Sequence, residues 1–353
     1  MNKIFLFSIF IFWLTKSNAQ DATTIQLWKD SAIGTIYNPA TASVAFGKPN
    51  KKGIYQLFLA DSSGLNMRQL TYSLWDKECH QWPEEWTPDG QYLFCYVEKS
   101  EHVQERHHRR KKVDATPGYG AYTDLWLIKQ DGSKAWKLLD LPNSFDSGII
   151  HSAISDDGSL FAWSERIKAP VFGNLNLLAG AYVIRVAKFQ MDSIPHFSAI
   201  RTFQPGNRDA CNELESISPN NESLLFYSTF ETKNIFNTPI YSLNLSTQAI
   251  VKLTSESFAQ APTFTPNGKQ IIYMTGYECD IFPLEIQGSD WWIMDSDGSN
   301  KKRLTYMNQK GNPQCVNHYR LAGSLSFIND HEFYGGIMTK PLGLIGYTVR
   351  VHF

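Results

Sequence analysis

Histidines and acidic residues gather in particular stretches of this chain. His80, His102, His107, His108, His151 and His318 fall in or beside the longer connections, with Glu84, Glu85, Glu213 and Glu215 at comparable places. Imidazole with carboxylate is a donor set for a transition metal, and equally a general acid–base pair. Neither use has a tight motif here, since no His-Glu-x-x-His occurs. The expectation is a polar, water-filled lining whose side chains pair with one another, with no catalytic residue, no metal and no cofactor.

Other chemistry is excluded by spacing. Asp295-Ser296-Asp297-Gly298 looks like the opening of a calcium loop but lacks the later ligands and the bidentate Glu, so it reads as a turn. Ser155-Asp156-Asp157-Gly158 with Trp163 has the wrong spacing for a sialidase Asp-box, and Trp163 reads as a core residue. No Gly-x-Ser-x-Gly, Walker A or Gly-x-Gly-x-x-Gly is present. The five cysteines leave at least one unpaired within a monomer. Cys279 and Cys315 are expected on one face, where a bridge is geometrically possible.

Two repeated units must position these residues. One is a strand, an Asp-Gly turn and a return strand ending in Leu-Thr, as in Asp290–Thr305 (DWWIMDSDGSNKKRLT). It recurs at Ile54–Thr71 and Asp124–Asp140, and in diverged form at Ile240–Thr254. The other is a Pro/Asp-Gly turn followed by an alternating apolar strand: Trp86–Lys99, Ile154–Arg166, Ile217–Ser228 and Phe264–Gly276, with weaker copies at Tyr37–Gly47 and Phe327–Met338. Together they make four strands per repeat and six repeats, at roughly 55 residues each, a spacing suited to propeller blades. The 14% aromatic content fits an all-β chain, and a net charge of −1 argues against a nucleic-acid binder.

The pair of units resembles the TolB-like, WD-repeat-like β-propeller family, through Asn38–Thr71, Thr87–Leu139 and Thr265–Thr305. The resemblance covers nearly the whole chain beyond residue 20 and implies an all-β, six-bladed propeller of four-stranded antiparallel blades. It implies neither the N-terminal α/β domain of TolB, for which the chain has no room, nor a hydrolase domain. Members of this architecture, such as oligogalacturonate lyases, hold a metal at the channel mouth; the likeness to them is architectural. Strands within a blade are lettered A to D outward from the channel. Blade six supplies A, B and C, with Gly346–Phe353 as C, and Thr24–Trp28 is expected as its D strand, closing the ring and removing two open edges.

Residues 1–19 read as a signal peptide. Lys3 precedes the short apolar run Ile4–Leu14, and Ser17-Asn18-Ala19 reads as the cleavage site, leaving residues 20–353 as one propeller domain. The protein is then exported, to the periplasm or the extracellular space, as a monomer without a membrane span.

The long connections, Ser100–Thr123, Ile167–Gly180 and Tyr277–Ser289 between B and C strands, and Tyr72–Pro83 and Tyr306–Arg320 between D and A, belong to one face. That face is where binding is expected. The basic run Arg106–Lys112 reads as a solvated insertion. Ligand contacts are expected from Trp82, Glu84, His151, Glu215, His318 and Arg320 around the channel mouth, with Arg109, Arg110 and Tyr119 from the insertion. The favoured function is binding of a protein, peptide or glycan, without catalysis or nucleic acid. The alternative is a metal-dependent saccharide lyase or hydrolase with a His/Glu site at the channel mouth.

Overall fold

The computed structural model describes residues 23–109, 120–276, 288–309, 311–315, 320–339 and 346–353. Six four-stranded antiparallel sheets form the six blades of a propeller. The innermost A strands are Ile33–Asn38, Gln81–Trp86, Gly148–Ile154, Asn212–Ile217, Ala259–Phe264 and Arg320–Asn329, in blades one to six. Neighbouring A strands touch around the ring, and all six line a central cavity.

The repeated turn chemistry has a common cause. Thr87, Ser155, Ser218 and Thr265 each donate a hydroxyl hydrogen bond to the Asp or Asn two residues on, at 2.6–2.9 Å. Each hydroxyl also accepts the N–H five residues on, at 2.9–3.1 Å. One short side chain thereby satisfies both arms of the A–B hairpin. The turn then needs a positive φ, supplied by Gly90, Gly158 and Gly268, and in blade four by Asn221.

The outer hairpin of blade five shows why Asp and Arg-Leu-Thr frame that unit. Asp290, wholly buried, accepts from Arg303 Nη2 at 2.7 Å, Thr305 Oγ1 at 2.8 Å and Met307 N at 2.7 Å. Thr305 Oγ1 in turn accepts from Trp291 N at 3.0 Å. Blade four keeps the threonine, Thr254 Oγ1 accepting from Ile240 N at 2.8 Å. Blade two keeps the aspartate, Asp124, which accepts from Leu141 N and pairs with Lys99 and Lys137.

The core lies between blades. Six apolar clusters occupy the six interfaces. Trp163, 1% exposed, packs between blades two and three, as its sequence context suggests. Trp291 sits between blades five and six, donating Nε1–H to Gly323 O at 3.1 Å. Its ring lies over Gly335, where a Cβ would come within 2.4 Å.

The ring closes as the sequence implies. Thr24–Asp30 pairs antiparallel with Gly346–His352 as the fourth strand of blade six. Trp28 meets Tyr334 and Phe46 edge-on, and donates Nε1–H to Ser62 O at 2.9 Å. This strand therefore ties blade six to blade one.

Two features differ from the sequence reading. Blade three has an outer hairpin, Ala181–Gln190 with His196–Phe203, joined by Met191–Pro195 without an Asp-Gly turn. The connection after the B strand of blade two opens as a helix, Ser100–Arg109. His102 anchors it through Nδ1 to Glu98 Oε1 at 2.7 Å and by stacking on Tyr122, while Val103 enters the core. Side chains from residue 106 on, and so the basic run, lie outside the described residues. So does Cys279; Cys315 is a free thiol, as are Cys79, Cys95 and Cys211.

Candidate functional site

Pairing between the A and B strands breaks in every blade. In blades two, three and four the skipped residue is Glu84, His151 and Glu215 respectively. In blades five, six and one the skipped residues are Ala261 with Pro262, Gly323 with Ser324, and Gly34 with Thr35. A bulge bends the strand and re-aims a side chain out of the alternation. Three successive bulges thus present ionisable groups to the channel, while the other three fall at small or neutral residues, of which Ser324 lines it.

His151 carries the clearest backbone signature, with φ at +48°. Histidine is among the few side chains that tolerate this region, and such outliers concentrate at functional sites. Its Nε2 lies 3.6 Å from Glu213 Oε2 and its Nδ1 3.9 Å from Glu215 Oε2. About 30% of its side-chain surface stays open, against 7% for Glu213 and 6% for Glu215. Glu213 is held by two donors: the Tyr227 hydroxyl to Oε2 and Cys211 Sγ to Oε1 at 3.1 Å. Glu84 Oε2 accepts from Ser152 N at 3.3 Å. Among the described residues no Lys or Arg pairs with Glu84, Glu213 or Glu215.

Glu84, His151 and Glu215 open into a cavity of about 440 Å³. Its lining runs from Glu84, His151 and Glu215 past Glu85 to the A–B turns, where Pro39, Pro88, Pro266 and Asp156 are exposed. The described mouth therefore lies among the short A–B turns rather than the long connections. Among the described residues the lining includes Glu84, Glu85, Asp156, His151 and Glu215 but no Lys or Arg.

Of the residues expected to bind, the structure brings together Glu84, His151 and Glu215. Trp82 is placed elsewhere, wedged against Gly34 and Gly47 of blade one and edge-on to Tyr55. His80 also packs between blades, its Nδ1 accepting from Tyr55 N and its N–H donating to Glu98. Arg110, Tyr119 and His318 lie outside the described residues, as do the side chains of Arg109 and Arg320. Glu213, left out of the expected contacts, belongs with His151. The only sequence signal was a second carboxylate two residues before Glu215; the bulge at Glu215 is what brings both to His151.

Burial raises the carboxyls of Glu84 and Glu215 well above the usual range, with Glu85 adding to the first and Glu213 and Glu84 to the second. Burial also lifts Glu85, to about 8, helped by the Asp156 charge. His151 is lowered by burial, with Glu213 acting the other way. An acid raised by folding binds more protons folded than unfolded. Glu85 therefore contributes stability that is full below its ordinary range and is lost as pH rises through about 8. Thermal melts from pH 5 to pH 9 should show the melting temperature falling, and falling less in Glu85→Gln; an unchanged slope in that variant would remove Glu85 from the account.

No family model and no curated relative matches the chain. Solved structures do. A TolB-type protein from Agrobacterium tumefaciens aligns at TM-score 0.51 and 15% identity over 80% of this chain and 88% of its own. TolB from Acinetobacter baumannii aligns at 0.51 and 14% over 94% of this chain and 64% of its own. This is the TolB-like propeller fold. A puromycin-hydrolysing peptidase of Mycobacterium tuberculosis, at 0.52 and 15%, matches 88% of this chain, which spans only 40% of that enzyme. At these identities the likeness is one of fold, and the activity of a TolB-like propeller has to be argued from its own channel.

Proposed function

We propose that this chain is an exported binding propeller that draws a basic peptide segment of a partner protein into its central channel. The observation that carries this is the acidic lining of the cavity, without Lys or Arg among the described residues, reaching from Asp156 and Glu85 at the mouth to Glu84 and Glu215 within. Buried carboxyls without cationic partners favour a ligand that brings positive charge and hydrogen-bond donors. The prolines at Pro39, Pro88, Pro219 and Pro266 give the mouth a rigid rim, which limits the ordering cost of binding. Export rests on the Lys3, Ile4–Leu14 and Ser17-Asn18-Ala19 pattern. Among the described residues no helix is long and apolar enough to cross a membrane.

The test is a peptide array probed with the mature protein at low and high salt. Basic peptides should bind, acidic and neutral ones should not, and binding should weaken as salt screens the charges. A glycan array run in parallel separates the ligand classes; a saccharide hit with no basic peptide bound would overturn the assignment. One observation favours the second reading, a metal-dependent saccharide lyase or hydrolase: His151, Glu213 and Glu215 converge on one point in the channel.

A further inference from the structure

We propose that His151, Glu213 and Glu215 form a binding site for a divalent first-row transition metal ion within the channel. Each offers one ligand atom, and these atoms lie within 4.8 Å of one another. One imidazole nitrogen and two carboxylate oxygens form a mixed borderline and hard donor set that suits Zn²⁺ or Mn²⁺. The inference does not depend on the peptide reading, because it concerns an ion bound by the free protein.

Three features point to a ligand rather than to a self-satisfied cluster. The first is charge: the two carboxyls face one imidazole, with no Lys or Arg paired to either among the described residues. Buried acids of this kind are ordinarily compensated by a cation or by protons. The second is the supporting shell. The Tyr227 hydroxyl and Cys211 thiol each donate to one oxygen of Glu213, fixing its orientation as partners of a ligating carboxylate do.

The third feature adjoins the cluster. Ser152 and Tyr96, 5% and 7% exposed, place their hydroxyls beside the Glu84 carboxyl but make no hydrogen bond of good geometry. Ser152 directly follows His151 and lines the cavity. A buried hydroxyl without a well-formed partner carries a desolvation cost that a bound ion's water would relieve. The φ of His151 adds a backbone reason: the strand is bent there to turn the ring toward Glu213 and Glu215.

The experiment uses the mature protein freed of metal by a chelator and titrated with Zn²⁺ and with Mn²⁺ by calorimetry. Saturable, stoichiometric binding is expected. His151→Asn keeps a residue tolerant of positive φ and removes the imidazole, so it should fold and lose affinity by at least about 100-fold. Glu215→Gln should do the same, and Tyr227→Phe, which only positions Glu213, should lose roughly 10- to 100-fold. Should a variant fail to fold, diethylpyrocarbonate labelling of wild-type His151, mapped by mass spectrometry, should be suppressed by the metal. Absence of saturable binding, binding unchanged in both ligand variants, or labelling of His151 indifferent to metal each overturns the site. Peptide binding that fails while metal binds leaves the ion site standing and removes only the peptide reading.

Discussion

Deleting Gln20–Ser31 is expected to abolish the cooperative fold. The deletion removes the whole strand Thr24–Asp30, leaving Gly346–His352 as an open edge rich in β-branched residues. It also removes Trp28, which bridges Tyr334 of blade six and Phe46 of blade one. Truncating a buried tryptophan costs about 3–5 kcal/mol. Trp28 is only half-buried, but its loss is compounded by a full strand's hydrogen bonds. Against a total stability of about 5–15 kcal/mol, the combined loss leaves little. Size-exclusion chromatography and thermal melts should show aggregation or a broad, non-cooperative transition. A monomer with an unchanged melting profile would mean that another segment closes the ring.

Asp290→Ala is expected to be the most damaging single substitution in an outer hairpin. The carboxylate is wholly buried and satisfies Arg303, Thr305 and the Met307 N–H together. Burial alone raises its carboxyl, and the hydrogen bonds oppose that shift. Alanine would take from the Arg303 guanidinium, whose side chain is 8% exposed, its carboxylate counter-charge, leaving the bond from Nε to Thr305 O. Removing one partner of a buried pair costs about 3–5 kcal/mol. Asp290→Asn keeps an acceptor for Thr305 and should cost markedly less. Denaturant melts of the two variants decide this; equal stability of Asp290→Ala and wild type would show that the network contributes nothing net.

The fold was legible in the sequence because its determinants are local and repeated. The hydroxyl of Thr87, Ser155, Ser218 and Thr265 and the Asp or Asn two residues on leave a mark within five residues. The Asp290–Thr305 frame does the same within sixteen. Blade three's outer hairpin was invisible because Met191–Pro195 makes the turn without Asp-Gly. The helix Ser100–Arg109 was hidden because Arg, His and Lys suit a solvated loop equally well, and what holds it is the distant Asp124 and Tyr122.

The site was legible only in its residue types. Glu84, His151 and Glu215 stood out as histidine and carboxylate near A-strand starts, but bulges decide that they share the channel. A bulge is a matter of pairing between strands and leaves little trace in one strand's sequence. Trp82 illustrates the reverse: an aromatic near the mouth by sequence, it is consumed by packing on Gly34 and Gly47. Loop length pointed to the elaborated face, while the described cavity opens among the short turns. Length reports tolerance to insertion more than it reports where a channel ends.

The central claim is that the acidic channel receives the ligand. The measurement that tests it is the dissociation constant of the tightest array peptide for wild type and three variants. Asp156→Lys, at an exposed mouth position, combined with Glu85→Gln, should weaken binding at least about tenfold, a change of roughly 1.4 kcal/mol. Lys134→Ala, in a C–D turn away from the cavity, should leave it unchanged. Replacing residues 106–119 with a Gly-Ser linker, which spares His102, Val103 and Tyr122, should have the smaller effect. If the linker variant abolishes binding while the mouth variant binds as wild type does, the ligand sits on the long-loop face and the channel is not its site.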